Sequence, residues 1–323
     1  MAPCFTTDTH FKPLPVTRTE ADEPRRVGCE VEFAGLDEQD VAQALKSRLG
    51  GQIDQENEHV FHLKNTSIGG LKIALDTALP KDPDTAAARA VTGLLAKVVP
   101  VEIVTPPLPF EDVTVFSDAL DGLATQGAVG SQNGMLYGFG VHLNVELPGL
   151  AHPHTYRTIR AFAALEPVLR EVYPINLTRR VMPFIKTWPD GFVQELFERR
   201  PMTLMQVMAM AANHIASRNY ALDLFPMFKE GAPRAFEAFF PHDTATKARP
   251  SFHFRLPDSR VGEQGWSLLE AWTMWRLIED VAQDDQVLPG LEEQWLRARD
   301  PDQSITQSEA IARTKDLLEA HLT

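Results

Sequence analysis

Three short polar pairs, each inside an apolar run, constrain most strongly what this chain can fold into. They are Glu30-Val31-Glu32, His142-Leu143-Asn144 and His253-Phe254-Arg255. Residues two apart in a β-strand point to the same face, so each pair places two ligand-type side chains on one sheet surface. Glu102 lies in a fourth apolar run. Together these runs predict a sheet face lined by carboxylates, imidazoles and an arginine, which suits a cation and phosphate oxygens.

The charge balance and the cysteine content exclude several classes of protein. The chain has 323 residues, with 31 Lys and Arg against 44 Asp and Glu, and a formal net charge of −13. Such a chain lacks the general basic surface that nucleic acids or anionic membranes require, although a local basic groove remains open. The two cysteines, Cys4 and Cys29, give no sign of a disulfide framework. Cys29 faces away from Glu30 on its strand, which favours a small core residue over a reactive thiol.

Three segments are predicted along the chain. Residues 1–25 lack hydrophobic periodicity and are expected to form a flexible arm, 26–260 the main domain, and 261–323 a helical extension packed on it. The longest apolar run, 202–212, is too short to cross a bilayer, and no signal-like segment precedes the first strand. We therefore expect a soluble, cytoplasmic protein. The sequence predicts no oligomeric state.

Hydrophobic periodicity predicts an α+β fold with a largely antiparallel sheet and a mainly helical second half. Strands are expected at 27–33, 51–54, 59–64, 71–76, 101–105, 137–146 and 249–256. Helices are expected at 36–49, 84–98, 110–125, 155–172, 201–217 and 266–281.

The common nucleotide and hydrolase motifs are absent. No Gly-x-x-x-x-Gly-Lys-Ser/Thr loop, no strand followed by Gly-x-Gly-x-x-Gly, no Gly-x-Ser-x-Gly elbow and no His-Glu-x-x-His helix occurs. What remains is an oxygen-rich set with imidazoles on separate strands: Glu30, Glu32, Asp76, Glu102, His142 and His253. Mg²⁺ and Mn²⁺ prefer a few carboxylates plus substrate phosphates, whereas structural zinc prefers thiolates or clustered histidines. Magnesium with a nucleotide is therefore expected.

The order of these segments resembles the amidoligase family, a branch of the carboxylate–amine ligase superfamily that includes glutamine synthetase and glutamate–cysteine ligase. The resemblance covers about 26–260 and rests on the following segments: Val27-Gly-Cys-Glu-Val-Glu-Phe33, Leu75-Asp-Thr-Ala-Leu79, Val101-Glu-Ile-Val-Thr-Pro-Pro-Leu108, Gly138-Phe-Gly-Val-His-Leu-Asn144, Tyr220-Ala-Leu-Asp-Leu224 and Phe252-His-Phe-Arg255. It implies a curved antiparallel sheet like the glutamine synthetase catalytic domain, with helices packed on one side.

The resemblance also implies roles for individual residues. Two Mg²⁺ ions are expected to bind the carboxylates and imidazoles, which are Glu30, Glu32, Glu102, His142 and His253. Arg255 is expected to stabilise the transferring phosphoryl group and Asp76 to act beside it as a catalytic residue. Strand parity adds Lys64 and Lys72 as candidate ligands for the phosphates of ATP.

Two positions depart from the family pattern, which usually has Glu where this chain has His253 and Asn where it has Asp223. Imidazole is a poorer Mg²⁺ ligand than carboxylate, so the second metal site is expected to be weakened or shifted toward Mn²⁺. With an ordinary pKa near 6.5 for His253, cation and nucleotide affinity should fall as the pH drops through about 6.5. His253→Glu should then restore Mg²⁺ affinity. A catalytically weakened relative remains an alternative.

Each candidate also has a structural explanation that the sequence leaves open. Glu30 and Glu32 could be the solvated face of an edge strand, Asp76 a turn residue and His142 a core histidine. Arg255 could form an ion pair near Asp258.

The sequence therefore predicts an ATP-dependent ligase that forms an amide or isopeptide bond through an acyl phosphate. Its expected substrates are a small-molecule or peptide carboxylate and an amine, with no nucleic-acid or membrane partner. A nucleotide- or peptide-binding relative with weakened catalysis and a phosphotransferase of the same fold are the alternatives.

Overall fold

An antiparallel sheet of eight strands organises the part of the chain that the computed structural model describes, which is residues 8–75, 99–131, 138–173, 175–181, 183–300 and 306–322. The strands are β1 Val27–Phe33, β2 Gln52–Asn57, β3 Val60–Thr66, β4 Gly69–Leu75, β5 Val101–Val104, β6 Val141–Val145, β7 Leu222–Asp223 and β8 His253–Phe254. Their order across the sheet is β2-β3-β4-β5-β1-β6-β8-β7, and every neighbouring pair is antiparallel. The first strand of the chain is therefore central.

Among the described residues, most of the helices lie in the second half of the chain. The α-helices are α1 Glu38–Leu49, α2 Phe110–Ala124, α3 Pro153–Val172, α4 Leu177–Val181, α5 Asp190–Arg199, α6 Leu204–His214, α7 Phe225–Gly231, α8 Pro233–Phe239, α9 Leu269–Gln283, α10 Val287–Ala298 and α11 Gln307–Leu322. The predicted α+β fold with an antiparallel sheet is confirmed. None of the helices in the described ranges has the length and apolar character needed to span a bilayer. The cytoplasmic location stays a prediction.

Alternating burial along β1 separates the two faces of the sheet. Cys29, Val31 and Phe33 are buried and belong to the core, together with the apolar side of α1. Burial raises the pKa of the Cys29 thiol to about 12, as expected for a core residue. Glu30 and Glu32 point to the opposite face. One face of the sheet is thus covered by helices, and the other is available for a site.

Local signals at its ends explain the bounds of α1. The side chain of Asp37 accepts a hydrogen bond from the Asp40 backbone N–H at 2.8 Å, which caps the first turn. Gly50 follows the last residue with φ +74°, a conformation that favours glycine.

The last predicted strand is much shorter than expected. Of residues 249–256, only His253–Phe254 pair as β8 with β6 and β7, while Ser251 forms an isolated bridge to Glu146. Pro250 and Pro257 flank this segment and have no backbone N–H to donate to a ladder. Similarly, the helix predicted at 201–217 begins after the Thr203 cap and ends at His214. The predicted helix at 84–98 lies outside the described residues.

Residues 8–25 lie against helix α9. The Arg25 guanidinium donates two hydrogen bonds, of 2.8 and 2.9 Å, to the buried carboxylate of Glu279. The Trp272 indole N–H donates to the Lys12 carbonyl at 2.8 Å. At the other end of the chain, α10 and α11 pack on α3. The division into an arm, a main domain and a helical extension stays a prediction.

Candidate active site

A cleft of roughly 600 Å³ opens over the sheet face that carries Glu30 and Glu32. Its lining includes every predicted metal ligand together with Lys72 and Arg255, namely Glu30, Glu32, Glu102, His142, His253, Lys72 and Arg255. Residues that are far apart in sequence meet here because β1 lies between β5 and β6. Glu30 is paired with His142 across one ladder, and Glu32 with Glu102 across the other.

The central position of β1 excludes the edge-strand alternative for Glu30 and Glu32. Both side chains are largely buried, and their oxygens face His142. His142 in turn points into the cleft and not into the apolar core. Like charges directly opposite in a ladder are destabilising, so the Glu32–Glu102 pair favours a site for a cation.

The first potential metal site consists of Glu32, Glu102 and His142, whose ligand atoms all lie within 4.8 Å of one another. One Glu32 oxygen, Oε2, accepts the Gly140 backbone N–H at 2.7 Å, and the other, Oε1, lies 3.8 Å from His142 Nε2. His142 Nδ1 lies 3.0 Å from Glu30 Oε2. A carboxylate only accepts hydrogen bonds, so Nδ1 is the donor to Glu30, and in the neutral form of the ring the Nε2 lone pair would face this first group.

The second potential metal site consists of Glu30, His142 and His253, with the same limit of 4.8 Å between ligand atoms. His253 is buried, and its Nδ1 lies 3.4 Å from Asp223 Oδ2. Its Nε2 has no hydrogen-bond partner among the described residues. A buried nitrogen without a partner is costly, so the donor set fits a cation whose remaining ligands come from a substrate.

Asp223 and His253, the two positions expected to depart from the family pattern, lie opposite each other at this second group. Asp223 and His253 are in register across β7 and β8. The Asp223 carboxylate also accepts the Arg218 Nε–H at 3.2 Å and the Phe225 backbone N–H at 3.0 Å. A carboxylate is therefore present near position 253, but it lies behind the imidazole and supports it.

Burial and hydrogen bonds set the charge states of this group. Burial raises the pKa of Glu30, but hydrogen bonding to His142, electrostatic attraction to the His253 and His142 rings and a hydrogen bond from Asn144 outweigh it and hold the pKa well below its usual value. Burial likewise raises the pKa of Asp223, and the contacts with His253 and Arg218 lower it below its usual value. At His253 burial dominates and lowers the pKa to about 4. Protonation of His253 is therefore expected to reduce cation affinity near pH 4, and not near pH 6.5 as the sequence alone predicted.

Arg255 lines the cleft and does not form the alternative ion pair with Asp258. The partner of Asp258 is Arg179, at 2.8 Å between Nη1 and Oδ1. Arg179 also holds the backbone of Arg255, donating from Nη2 to its carbonyl at 2.7 Å. Arg255 Nε has no hydrogen-bond partner among the described residues, which leaves this donor for a bound anion.

Of the two remaining predicted residues, Lys64 does not line the cleft and Asp76 cannot be placed. Lys64 is exposed on β3 and is ion-paired with Asp54. It shares the face of the sheet with the site, but β3 lies three strands from β1, which is about 14 Å at the usual strand spacing. Asp76 lies outside the described residues.

Several basic side chains of the cleft were missed in the sequence. Arg179, Arg218, Lys247 and Arg249 all line it. Arg249 Nη1 lies 3.6 Å from Glu30 Oε1 and donates to Asn144 Oδ1 at 3.2 Å. Asn144 itself donates to Glu30 Oε1 at 2.9 Å, and its place two residues after His142 was a usable signal. The irregular segments that carry Arg218 and Arg249 gave none.

The structure thus combines an antiparallel α+β fold with a cleft lined by carboxylates, imidazoles and arginines. The family model described as "Putative amidoligase enzyme" matches residues 23–277. The chain therefore belongs to this family, whose name indicates an enzyme that forms amide bonds, and the predicted membership is confirmed. A comparison with curated proteins finds no match.

Proposed function

We propose that this protein is an ATP-dependent carboxylate–amine ligase that forms an amide or isopeptide bond through an acyl phosphate. The observation that carries the proposal is the pair of ligand groups around His142, on the floor of a cleft that also holds Arg255. Glu32, Glu102 and His142 would hold one divalent cation, and Glu30 and His253 a second. Mg²⁺ or Mn²⁺ bound there would offset the negative charge of the nucleotide phosphates.

The bonds exchanged in this reaction define what the side chains must do. A substrate carboxylate oxygen attacks the γ-phosphorus of ATP while the bond to the ADP oxygen breaks. An amine nitrogen then attacks the acyl carbon, inorganic phosphate leaves and the amine loses a proton. Both steps gather negative charge on phosphoryl oxygens, so binding that charge is the main catalytic requirement.

Arg255 is suited to this requirement. Its backbone carbonyl is held by Arg179, its Nη1 donates to the Arg218 carbonyl at 3.3 Å, and its buried Nε has no partner within the described part of the chain. A guanidinium fixed in this way would bind a phosphoryl oxygen without reorganising. Lys72 on β4 would bind the phosphates of ATP, and Arg218 and Arg249 on the far side would bind the substrate carboxylate.

Trapping the acyl phosphate tests the proposal. The full chain is incubated with ATP, Mg²⁺ or Mn²⁺, hydroxylamine and a panel of small-molecule and peptide acids, and both ADP and hydroxamate are measured. We expect ADP and hydroxamate in equal amounts for the correct acid, and none after Glu32→Gln with Glu102→Gln. Glu293→Gln, an exposed change on α10, is the matched control and should leave both products unchanged.

The same assay separates the alternatives. The presence of His253 in place of a carboxylate favours a binding protein with weakened catalysis as the second candidate. Such a protein would bind ATP and release no ADP with any acid. ADP release with a stable phosphorylated acceptor and no hydroxamate would instead indicate a phosphotransferase.

A further inference from the structure

The buried pair of Asp223 and His253 has a geometry that an ordinary structural pair would not need. The two residues are 1% and 5% exposed, and the imidazole Nδ1 faces the carboxylate at 3.4 Å. A pair that served only the core would satisfy both ring nitrogens. Here Nε2 is buried without a hydrogen-bond partner among the described residues, and the ring lines the cleft.

Asp223 is itself fixed from outside the cleft. Oδ1 accepts the Phe225 backbone N–H, and Oδ2 accepts the Arg218 Nε–H. The orientation of the carboxylate is therefore set before any ligand arrives. Nδ1 of His253 lies 3.4 Å from Asp223 Oδ2 and 3.5 Å from Arg218 Nη2. Because a carboxylate accepts and does not donate, the Asp223 contact favours the tautomer with the proton on Nδ1 and the lone pair on Nε2, the arrangement of histidines that bind metals.

The two ligand groups are chemically unequal as a result. Both include His142, but a neutral imidazole has one lone pair, and that of His142 faces Glu32 because its Nδ1 bonds to Glu30. The Glu32 group thus has two carboxylates and one imidazole. The Glu30 group has one carboxylate and relies on His253 as its nitrogen ligand.

We propose that Asp223 is a positioning residue that, through His253, makes the Glu30 cation position selective for a borderline divalent ion such as Mn²⁺ over Mg²⁺. Imidazole nitrogen suits first-row transition ions, whereas Mg²⁺ prefers oxygen ligands and keeps its waters. The inference rests on the proposed function only in requiring that the cleft binds cations.

The geometry also couples the two positions. Glutamate at position 253 would place a second carboxylate against Asp223, and two adjacent carboxylates do not both ionise readily. The single change His253→Glu is therefore a poor way to build a Mg²⁺ site in this chain. The combination of His253→Glu with Asp223→Asn removes the repulsion and keeps one carboxylate.

Cation binding to the full chain tests this selectivity without an activity assay. Metal-free protein is titrated with Mn²⁺ and Mg²⁺ by calorimetry, and nitrogen ligands of bound Mn²⁺ are detected by electron–nuclear double resonance. We expect Asp223→Asn to weaken Mn²⁺ binding by about 10- to 100-fold, the usual effect of losing a partner that orients a metal-binding histidine. The combination of His253→Glu with Asp223→Asn should lose one nitrogen coupling and bind Mg²⁺ more tightly than the unmodified chain.

A matched control comes from another His–carboxylate pair, His214 and Glu195, 3.1 Å apart on α6 and α5. Glu195→Gln should leave Mn²⁺ affinity and the nitrogen couplings unchanged. If Mn²⁺ binds but Asp223→Asn changes its affinity by less than twofold, the inference is overturned and the proposed function stands. The inference is likewise overturned, and the proposed function stands, if the combined variant keeps every nitrogen coupling. This variant tests the idea even when Asp223→Asn alone unfolds. If the unmodified chain binds neither cation, with or without ATP, both are rejected.

Discussion

Two buried clusters of carboxylate and histidine occur in the described part of this protein, and they differ in whether their polar atoms are satisfied. Glu279 on α9 accepts hydrogen bonds from Arg25 and from Trp275 at 2.8 Å, and lies 3.3 Å from His154. In the cleft, the cluster of Glu30, His253 and Asp223 leaves His253 Nε2 without a partner among the described residues. The Glu279 cluster is a closed network that holds the N-terminal segment on α9. The cluster in the cleft is an open network, in which His253 Nε2 can still bind a ligand.

The largest expected effect tests the closed cluster. Arg25→Met leaves the Glu279 charge buried without its main partner, and breaking a buried pair from one side costs about 3–5 kcal/mol. Chemical denaturation should show this loss, while Mn²⁺ affinity of the folded variant stays unchanged. A loss of only about 1 kcal/mol or less, as for a surface ion pair, would contradict the closed-network interpretation.

The second prediction tests the carboxylates that lie beside the open cluster in the cleft. Glu32→Gln with Glu102→Gln keeps side-chain shape but removes the two carboxylates of the first cation group. Cation affinity should fall by more than the roughly 10- to 100-fold that loss of a supporting residue costs. Thermal stability should stay equal or rise, because two opposed negative charges are removed. A clear loss of stability with unchanged cation affinity would make these residues structural.

The two clusters should change the stability of the protein in different pH ranges. The pKa of Glu279 is about 2, against an ordinary 4.5, because the Arg25 charge and hydrogen bonds overcome the rise caused by burial. Its stabilisation is therefore present above pH 4.5 and lost as the pH falls toward 2. Burial lowers the pKa of His253 from 6.5 to about 4, so the unfolded chain takes up this proton first and stability falls between pH 6.5 and 4.

Two variants test which residue causes the loss of stability in each pH range. His253→Gln should flatten the stability profile between pH 6.5 and 4, and Glu279→Gln should flatten it between pH 4.5 and 2. The measurement is urea denaturation at successive pH values, with Glu195→Gln as the control. The assignment is wrong if either variant flattens the other residue's window.

The smallest expected effect concerns the rim of the cleft. Arg249 is partly exposed and lies 3.6 Å from Glu30, so Arg249→Gln should weaken substrate binding by about fivefold at most, as for a solvated ion pair. Steady-state kinetics should show a higher KM for the acid with little change in kcat. A fall in kcat of similar size would indicate that Arg249 contacts the reacting phosphoryl group.

The sequence indicated correctly which candidate side chains share one face of the sheet. It did not indicate how far apart their strands lie across the sheet. Glu30, Glu32, Glu102 and His142 were correctly grouped because side-chain direction repeats every two residues, a local property. The order of strands is set by tertiary packing, so parity placed Lys64 on the right face but could not show that β3 lies far from β1. The contact of Asp223 with His253 was also out of reach, because it joins two short strands that are 30 residues apart.

Calorimetry of ATP binding tests the central claim most directly, using a non-hydrolysable analogue with and without divalent cation. The full chain should bind the analogue only when Mg²⁺ or Mn²⁺ is present, and Glu30→Gln with Glu32→Gln should abolish this binding while the protein stays folded. Equal affinity for the analogue in that variant, or cation-independent binding in the unmodified chain, would contradict the assignment of this cleft to a metal-bound nucleotide.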